Sequence, residues 1–376
     1  MSRFLVRLEK LLRALVQPRV EPSSLHRIII AHNLLLGDTL LLAPLLKALA
    51  DLAPAAERVV LCQPSFMPLF ENHPYGVTAM PFSRRDARSQ QNILRSGPYD
   101  LAIIPDDNRY AWLARAAGAR WIVGFANDLP HWKNWMLDHA VPYAATPLAW
   151  ADMVPSLIDR KTVDPFVVGE WLAPNYRPFD VPVEPYVVLH VGASTVLKQW
   201  PAERWRGVAQ RLRAANYNII WSGAASERQV LVDIAPPHNE TLLFAALDLG
   251  QLWHLLAKAS LVVCPDTGIA HLSRVVGVPA VAIFGPGSAL VHGAGEFFKE
   301  VPFAAVTAAE FPCRDQRVLF RRDVPWVRRC GRGVGIGPNQ CPEALCMQAV
   351  GEVDVLRAID GSLALLKLFP NAVMSR

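Results

Sequence analysis

The residues best suited to chemistry lie at junctions where apolar runs stop. The clearest junction is Val262-Val263-Cys264-Pro265-Asp266-Thr267-Gly268-Ile269-Ala270-His271-Leu272. It reads as a buried strand, a tight polar turn and a helix start, and a second buried strand follows, ending at Phe284-Gly285-Pro286. In open α/β sheets such a junction is where ligands bind. The free N–H groups of a helix's first turn favour an anion there. Asp266 adds a carboxylate acceptor, Thr267 a hydroxyl, and Gly268 a place where a ligand can approach the backbone. These parts suit a phosphorylated, hydroxyl-rich ligand such as a nucleotide sugar.

Three other segments carry similar promise. In Asn33-Leu34-Leu35-Leu36-Gly37-Asp38-Thr39, Asp38 either caps a helix or acts as a general base on an attacking hydroxyl. In His190–Pro201, small residues, Ser194 and Thr195 precede Lys198. This loop lacks Walker A spacing, which excludes a P-loop, but it can hold a diphosphate whose leaving-group charge Lys198 neutralises. In Trp221-Ser222-Gly223-Ala224-Ala225-Ser226-Glu227, Glu227 either binds ribose hydroxyls or sits favourably at a helix N-terminus.

The elements that position these residues alternate. Strands are expected at Arg27–Ala31, Val59–Cys62, Asp100–Ile104 and Trp121–Gly124, with helices at Thr39–Leu52 and Tyr110–Ala117. A Pro-rich stretch, Val163–Pro185, reads as a linker. A second series follows: strands at Tyr186–His190 and Asn218–Ser222, and helices at Ala202–Ala215, Ser226–Ile234 and Leu249–Lys258. Such alternation implies α/β architecture, parallel sheets wrapped by helices. The expected domains are 1–178 and 179–376, two copies of one architecture facing a cleft.

Composition agrees. A chain of 376 residues is long for a single core, and 52% hydrophobic against 19% charged residues argues for packed layers. A net charge of +5 is too modest for generic nucleic-acid binding. Residues 1–20 alternate Phe4, Leu5, Leu8, Leu11, Leu12 and Leu15 with Arg3, Arg7, Lys10 and Arg13. That is a basic amphipathic helix suited to a membrane surface or to packing on protein, not a secretory signal. The apolar segment Ile28–Ala50 is interrupted by Asn33, Gly37, Asp38, Pro44 and Lys47, so it reads as strand, loop and helix instead of a span. The cytoplasm is the expected compartment, where cysteines stay reduced.

The order and content of these segments resemble glycosyltransferase family 9, the lipopolysaccharide heptosyltransferases. The motifs are Gly37-Asp38, the Gly192–Trp205 loop with Lys198-x-Trp200-Pro201-x-Glu203-x-Trp205, Asp266–Leu272 and Phe284–Pro286. The run Leu34–Leu36 departs from the polar or small residues common there. The resemblance implies a GT-B fold, two facing Rossmann-like domains with the acceptor on the first and the donor on the second. It also implies a last helix, Val353–Leu368, crossing back to the first domain, and inverting transfer of heptose from ADP-heptose with no cofactor required for catalysis. It casts Asp38 as the base, Ser194, Thr195 and Lys198 as diphosphate contacts, and Glu227 as the nucleoside contact. Asp266 would bind sugar hydroxyls, Thr267 and Gly268 the phosphates, and His271 a phosphate. The implied acceptor is a glycolipid at the cytoplasmic face of the inner membrane, met by peripheral contact. A protein acceptor, or a sugar-nucleotide epimerase of the same fold, are the competing readings.

Cys313, Cys330, Cys341 and Cys346 gather near the end of the chain without a Cys-x-x-Cys pair. Four thiolates suit structural zinc or iron; free thiols are the alternative. Family members that heptosylate autotransporter proteins carry a late iron-binding cysteine cluster that this group is similar to. Arg314, Arg317, Arg321, Arg322, Arg328 and Arg329 lie between the first two cysteines, as partners for acceptor phosphates or as a surface loop.

Overall fold

Continuous apolar runs become the central strands of two parallel sheets, because a strand covered by helices on both faces has no solvent side. The computed structural model describes residues 19–309 and 311–368. The expected amphipathic helix at residues 1–20 therefore lies almost wholly outside the described residues. The contacts divide the chain into two units. The first runs to Thr146 and adds Ala151–Asp164 and Val318–Trp326; the second takes Pro147–Trp150, Pro165–Arg317 and the chain from Val327.

The first unit holds strands β1 (Arg27–Ile30), β2 (Glu57–Cys62), β3 (Val77–Pro81), β4 (Tyr99–Ile104), β5 (Ala119–Phe125) and β6 (His139–Val141), in the order β3-β2-β1-β4-β5-β6. β1 is central, with Ile30 opposite Val60 on one side and Ile103 on the other. Ile28, Ile29 and Ile30 are wholly buried, each contributing roughly 1.5–3 kcal/mol of burial. The expected helix after β1 is broken in two, Leu36–Leu40 and Ala43–Leu52, with a turn between them and Pro44 at the start of the second.

The second unit repeats this winding. Its strands are β7 (Tyr186–His190), β8 (Asn218–Gly223), β9 (Thr241–Phe244), β10 (Leu261–Pro265), β11 (Ala280–Phe284) and β12 (Phe303–Thr307), in the order β12-β11-β10-β7-β8-β9. Counted from its own first strand, each sheet has the doubly-wound order 3-2-1-4-5-6, so the strand order reverses between β1 and β4 and between β7 and β10. These are two Rossmann-like α/β domains.

Three further placements complete the two units. The stretch read as a linker is anchored at its start: Phe166 and Trp171 are buried in the second unit, and Phe166 lies 5.3 Å from the Phe298 ring, while most of 175–185 is exposed. The helix Glu352–Leu368 packs on the second unit's own sheet, where Val355 and Ile359 join the core of β7, β10 and β11. The charge-rich segment after β12 also leaves the second unit, since β13 (Val318–Leu319) and β14 (Arg322–Asp323) form a small antiparallel ribbon belonging to the first.

Candidate active site

Each sheet presents polar residues at the carboxyl ends of the two strands where its order reverses. In the second unit these ends carry the loop after β7 and the turn after β10. Lys198 Nζ donates to the Asp266 carboxylate and to the Asp266 main-chain oxygen, both at 2.8 Å. The segment that delivers Lys198 is fixed by its tryptophans. Trp200 and Trp205 are buried edge to face at 5.2 Å, and Trp200 Nε1 donates to Val350 O. Burial alone would raise the Asp266 carboxyl, but Lys198, His292 and Arg274 hold it below its ordinary value. Gly287, after β11, passes so close that a Cβ there would stand 2.2 Å from Asp266 Oδ2.

Asp266 leads into the helix Gly268–Val276, capped by the backbone of Thr267 with no side-chain hydrogen bond. Thr267 Oγ1 and His271 Nδ1 are buried, and neither has a hydrogen-bond partner among the described residues. Burial, with Arg274 and His292 nearby, keeps His271 neutral. The site thus combines free N–H groups of a helix's first turn with two orphaned polar atoms. Buried polar atoms are normally paired, so these mark where a ligand supplies the partner.

The remaining expected contacts fall around the same strand ends. Ser194 is exposed on the β7 loop. Thr195 caps the short helical turn Val196–Lys198, its hydroxyl accepting from Leu197 N at 3.3 Å. Glu227 accepts from Ala224 N at 2.6 Å, and a Cβ on Gly192 would lie 1.9 Å from its Oε2. A side chain at position 192 would therefore displace the Glu227 carboxylate from its present place.

In the first unit, Asp38 lies half-buried within the helix Leu36–Leu40 and not at its cap, which is Leu35. The neighbouring strand end, after β4, brings a residue that the sequence reading passed over. Asp106 is 8% exposed, and its Oδ1 has no hydrogen-bond partner among the described residues. Burial, assisted by the charges of Asp107 and Asp38 and opposed by Arg322 and a main-chain N–H, pushes its carboxyl up to about 7. Asn33, Arg84, Asp106, Asp107, Tyr110 and Arg321 line a recess of about 210 Å³. The available signal was topological: Asp106 follows the fourth strand of its sheet just as Asp266 follows the fourth strand of the other.

This recess rests on buried ion pairs. Lys133, wholly buried, bridges Asp107 at 3.0 Å and Asp128 at 3.1 Å. Arg321 pairs with Asp107 at 2.9 Å. Arg322, 1% exposed, donates to the main-chain oxygens of Asp106, Phe125 and Ala126, with Asp128 at 3.9 Å. Of the arginine cluster, then, Arg322 plugs the ends of β4 and β5, and Arg314 holds Gly285 O and Ala308 O in the second unit.

Cys330 and Cys346 are buried, and Cys313 and Cys341 partly so. Burial, with smaller contributions from Cys313, Cys330 and Cys341, raises the Cys346 thiol to about 11, so the other three thiols lie within electrostatic reach of it. The donor set suits a soft cation, yet no three His, Cys, Asp or Glu side chains among the described residues converge closely enough to hold a metal. The expected four-thiolate shell is not closed.

The sequence profile of glycosyltransferase family 9 (heptosyltransferase) matches residues 88–295, more than half of the chain. The chain belongs to glycosyltransferase family 9. It is a glycosyltransferase with the GT-B pair of Rossmann-like domains. It is 26% identical over 333 residues to lipopolysaccharide heptosyltransferase 1 of Pseudomonas aeruginosa, covering 80% of this chain and 92% of that one. It is 23% identical over 316 residues to lipopolysaccharide heptosyltransferase 3 of Escherichia coli, covering 75% and 89%. Among solved structures, E. coli ADP-heptose lipopolysaccharide heptosyltransferase II superposes with a TM-score of 0.67 at 18% identity, over 91% of this chain and 99% of that one. The iron-containing dodecameric glycosyltransferase TibC of enterotoxigenic E. coli superposes with a TM-score of 0.59 at 15% identity, over 92% and 78%.

Proposed function

We propose that this family 9 enzyme transfers heptose from ADP-heptose to a sugar of the lipopolysaccharide core, with inversion. The observation that carries the reading is the Lys198–Asp266 pair at the foot of the helix Gly268–Val276, beside the orphaned Thr267 and His271 atoms. A diphosphate accepts from the helix N–H groups, Thr267 and His271, and a sugar hydroxyl donates to Asp266. Ser194 and Thr195 border the diphosphate, Gly268 lets it approach the backbone, and Glu227 borders the nucleoside. Asp38 removes the acceptor hydroxyl proton as the oxygen bonds to the anomeric carbon. The bond from that carbon to the diphosphate oxygen breaks, and ADP leaves with its charge neutralised by Lys198. The protein's own groups supply each of these roles.

We propose a glycolipid acceptor, in line with relatives named for lipopolysaccharide, and we propose that the enzyme meets it by peripheral contact at the cytoplasmic face of the inner membrane. Among the described residues no helix is long and apolar enough to cross a membrane. A protein acceptor is the second reading, favoured by the late thiol group, which resembles the cysteine cluster of the family members that heptosylate autotransporter proteins. We propose that these thiols, which do not form a closed shell in this structure, draw together around structural iron or zinc when it binds; metal analysis of purified protein decides it, and a metal-free, fully active preparation refutes it.

The test is incubation of the enzyme with ADP-heptose, with and without deacylated core acceptor, followed by mass spectrometry. Acceptor-dependent ADP release and a heptosylated product are expected. Conversion of donor alone to an epimer would overturn the reading in favour of an epimerase, and an inert core acceptor beside a modified protein would move the acceptor to protein.

A further inference from the structure

The first unit carries an aromatic edge that none of this chemistry uses. Residues 128–136 form a loop whose polar groups are satisfied from within. Asn134 Nδ2 donates to Asp128 O at 2.8 Å, and Asn134 Oδ1 accepts from Asn108 Nδ2 at 2.7 Å. Lys133 is buried on Asp128 and Asp107. With Asp128 and Lys133 buried and Asn134 partly so, the loop displays Leu129, Trp132 and Trp135, the last 59% exposed, with His131 beside them. Trp112 braces both indoles, at 6.4 and 6.5 Å between ring centroids. The display is thus held by buried ion pairs and hydrogen bonds.

We propose that Leu129, Trp132 and Trp135 form a lip that seats the enzyme in the headgroup layer of an anionic phospholipid membrane. Tryptophan, with an apolar body and a polar N–H, favours the membrane–water interface. Charge selects lipid over another apolar partner. Arg19, the first described residue, donates to Trp135 O at 3.3 Å, so the chain joins the first unit at this edge. Residues 1–18 contain Arg3, Arg7, Lys10 and Arg13 against Glu9 alone. Basic residues next to an apolar anchor are what an anionic leaflet attracts. The lip is also tied to the recess that Asp106 lines, because Lys133 in the loop pairs with Asp107 in the recess wall. The purpose inferred for the lip, bringing the recess to a membrane-embedded acceptor, rests on the glycolipid reading; its membrane binding does not.

The test is flotation of the full chain with vesicles of phosphatidylethanolamine and phosphatidylglycerol, compared with neutral phosphatidylcholine vesicles. Binding to the anionic vesicles is expected, weakened by salt, and reduced on the order of tenfold or more in the Trp132→Ser/Trp135→Ser variant. That variant should keep its activity on soluble deacylated acceptor, which shows that it folds. Undiminished flotation of the variant, or no flotation of the parent, overturns the proposal. So does a dimer, seen by light scattering, that the same substitutions dissociate, since a second copy would then cover the lip. Protection of the indoles from acrylamide in the lipid-free monomer also overturns it, because residues 1–18 would then be the cover. Transfer to soluble acceptor is read separately, so the lip and the transferase reading fail independently.

Discussion

The two sheets place a buried aspartate at the same topological point and treat it oppositely. Asp266, after β10, has the Lys198 ammonium at 2.8 Å and is held ionised. Asp106, after β4, has the charged carboxylates of Asp107 and Asp38 in its vicinity, and Arg322 beside it donates to its main-chain oxygen. Its proton leaves only near pH 7. One winding therefore builds a fixed negative charge in the second unit and a proton-holding carboxyl in the first. The fold selects the place, and the nearest cation decides what the carboxyl does there.

Substitutions can break this contrast at each end. Asp38→Ala should have the largest effect, lowering turnover by roughly 10²–10⁴-fold while ADP binding measured by calorimetry is unchanged. Unimpaired turnover would remove Asp38 from the base role. Lys198→Ala should cost about 10²–10³-fold in turnover and leave Asp266 buried without its strongest partner. If the Asp266→Asn/Lys198→Ala double variant were no better folded than Lys198→Ala alone, the pair would not be coupled as described.

Asp106→Asn tests the first unit through stability. The native carboxyl sits near 7 against an ordinary value of 3.8, so its stabilising effect is full below about pH 4 and is lost as pH rises through 7. The asparagine variant has no such loss. It should gain on the order of a few kcal/mol over the parent between pH 4 and pH 8, read from urea denaturation at each pH. Parallel stability curves would remove the proton from Asp106. The smallest effect is expected for Thr267→Val. Because Thr267 Oγ1 has no partner among the described residues, stability should change by less than about 1 kcal/mol, while the KM for ADP-heptose rises by roughly tenfold. A large loss of stability with an unchanged KM would mean that the hydroxyl serves the fold.

Much of this architecture was legible, for a physical reason. β1, β4, β7, β10 and β11 are buried over nearly their whole length and read as unbroken apolar runs. The strands left unread, β3, β6, β9 and β12, are the outermost or short ones, and partly exposed residues such as Thr78, His139, Thr241 and Ala305 dilute their pattern. Asp266, Thr267 and Lys198 announced themselves by local spacing. Asp106 did not, since a carboxylate after an apolar run is ordinary until the strand order is known. Arg322 was equally hidden: among six arginines of one cluster, nothing local distinguishes the one that is buried.

The placement of Arg322 bears on how this protein can be recombined. A chimera made by exchanging residues up to 164 with a relative would separate β4 and β5 from the guanidinium that caps their ends, because that side chain arrives from residues 318–326. The heritable unit of the first domain is therefore discontinuous in the gene. An exchange that carries both stretches should yield folded protein, and one that carries the first alone should not.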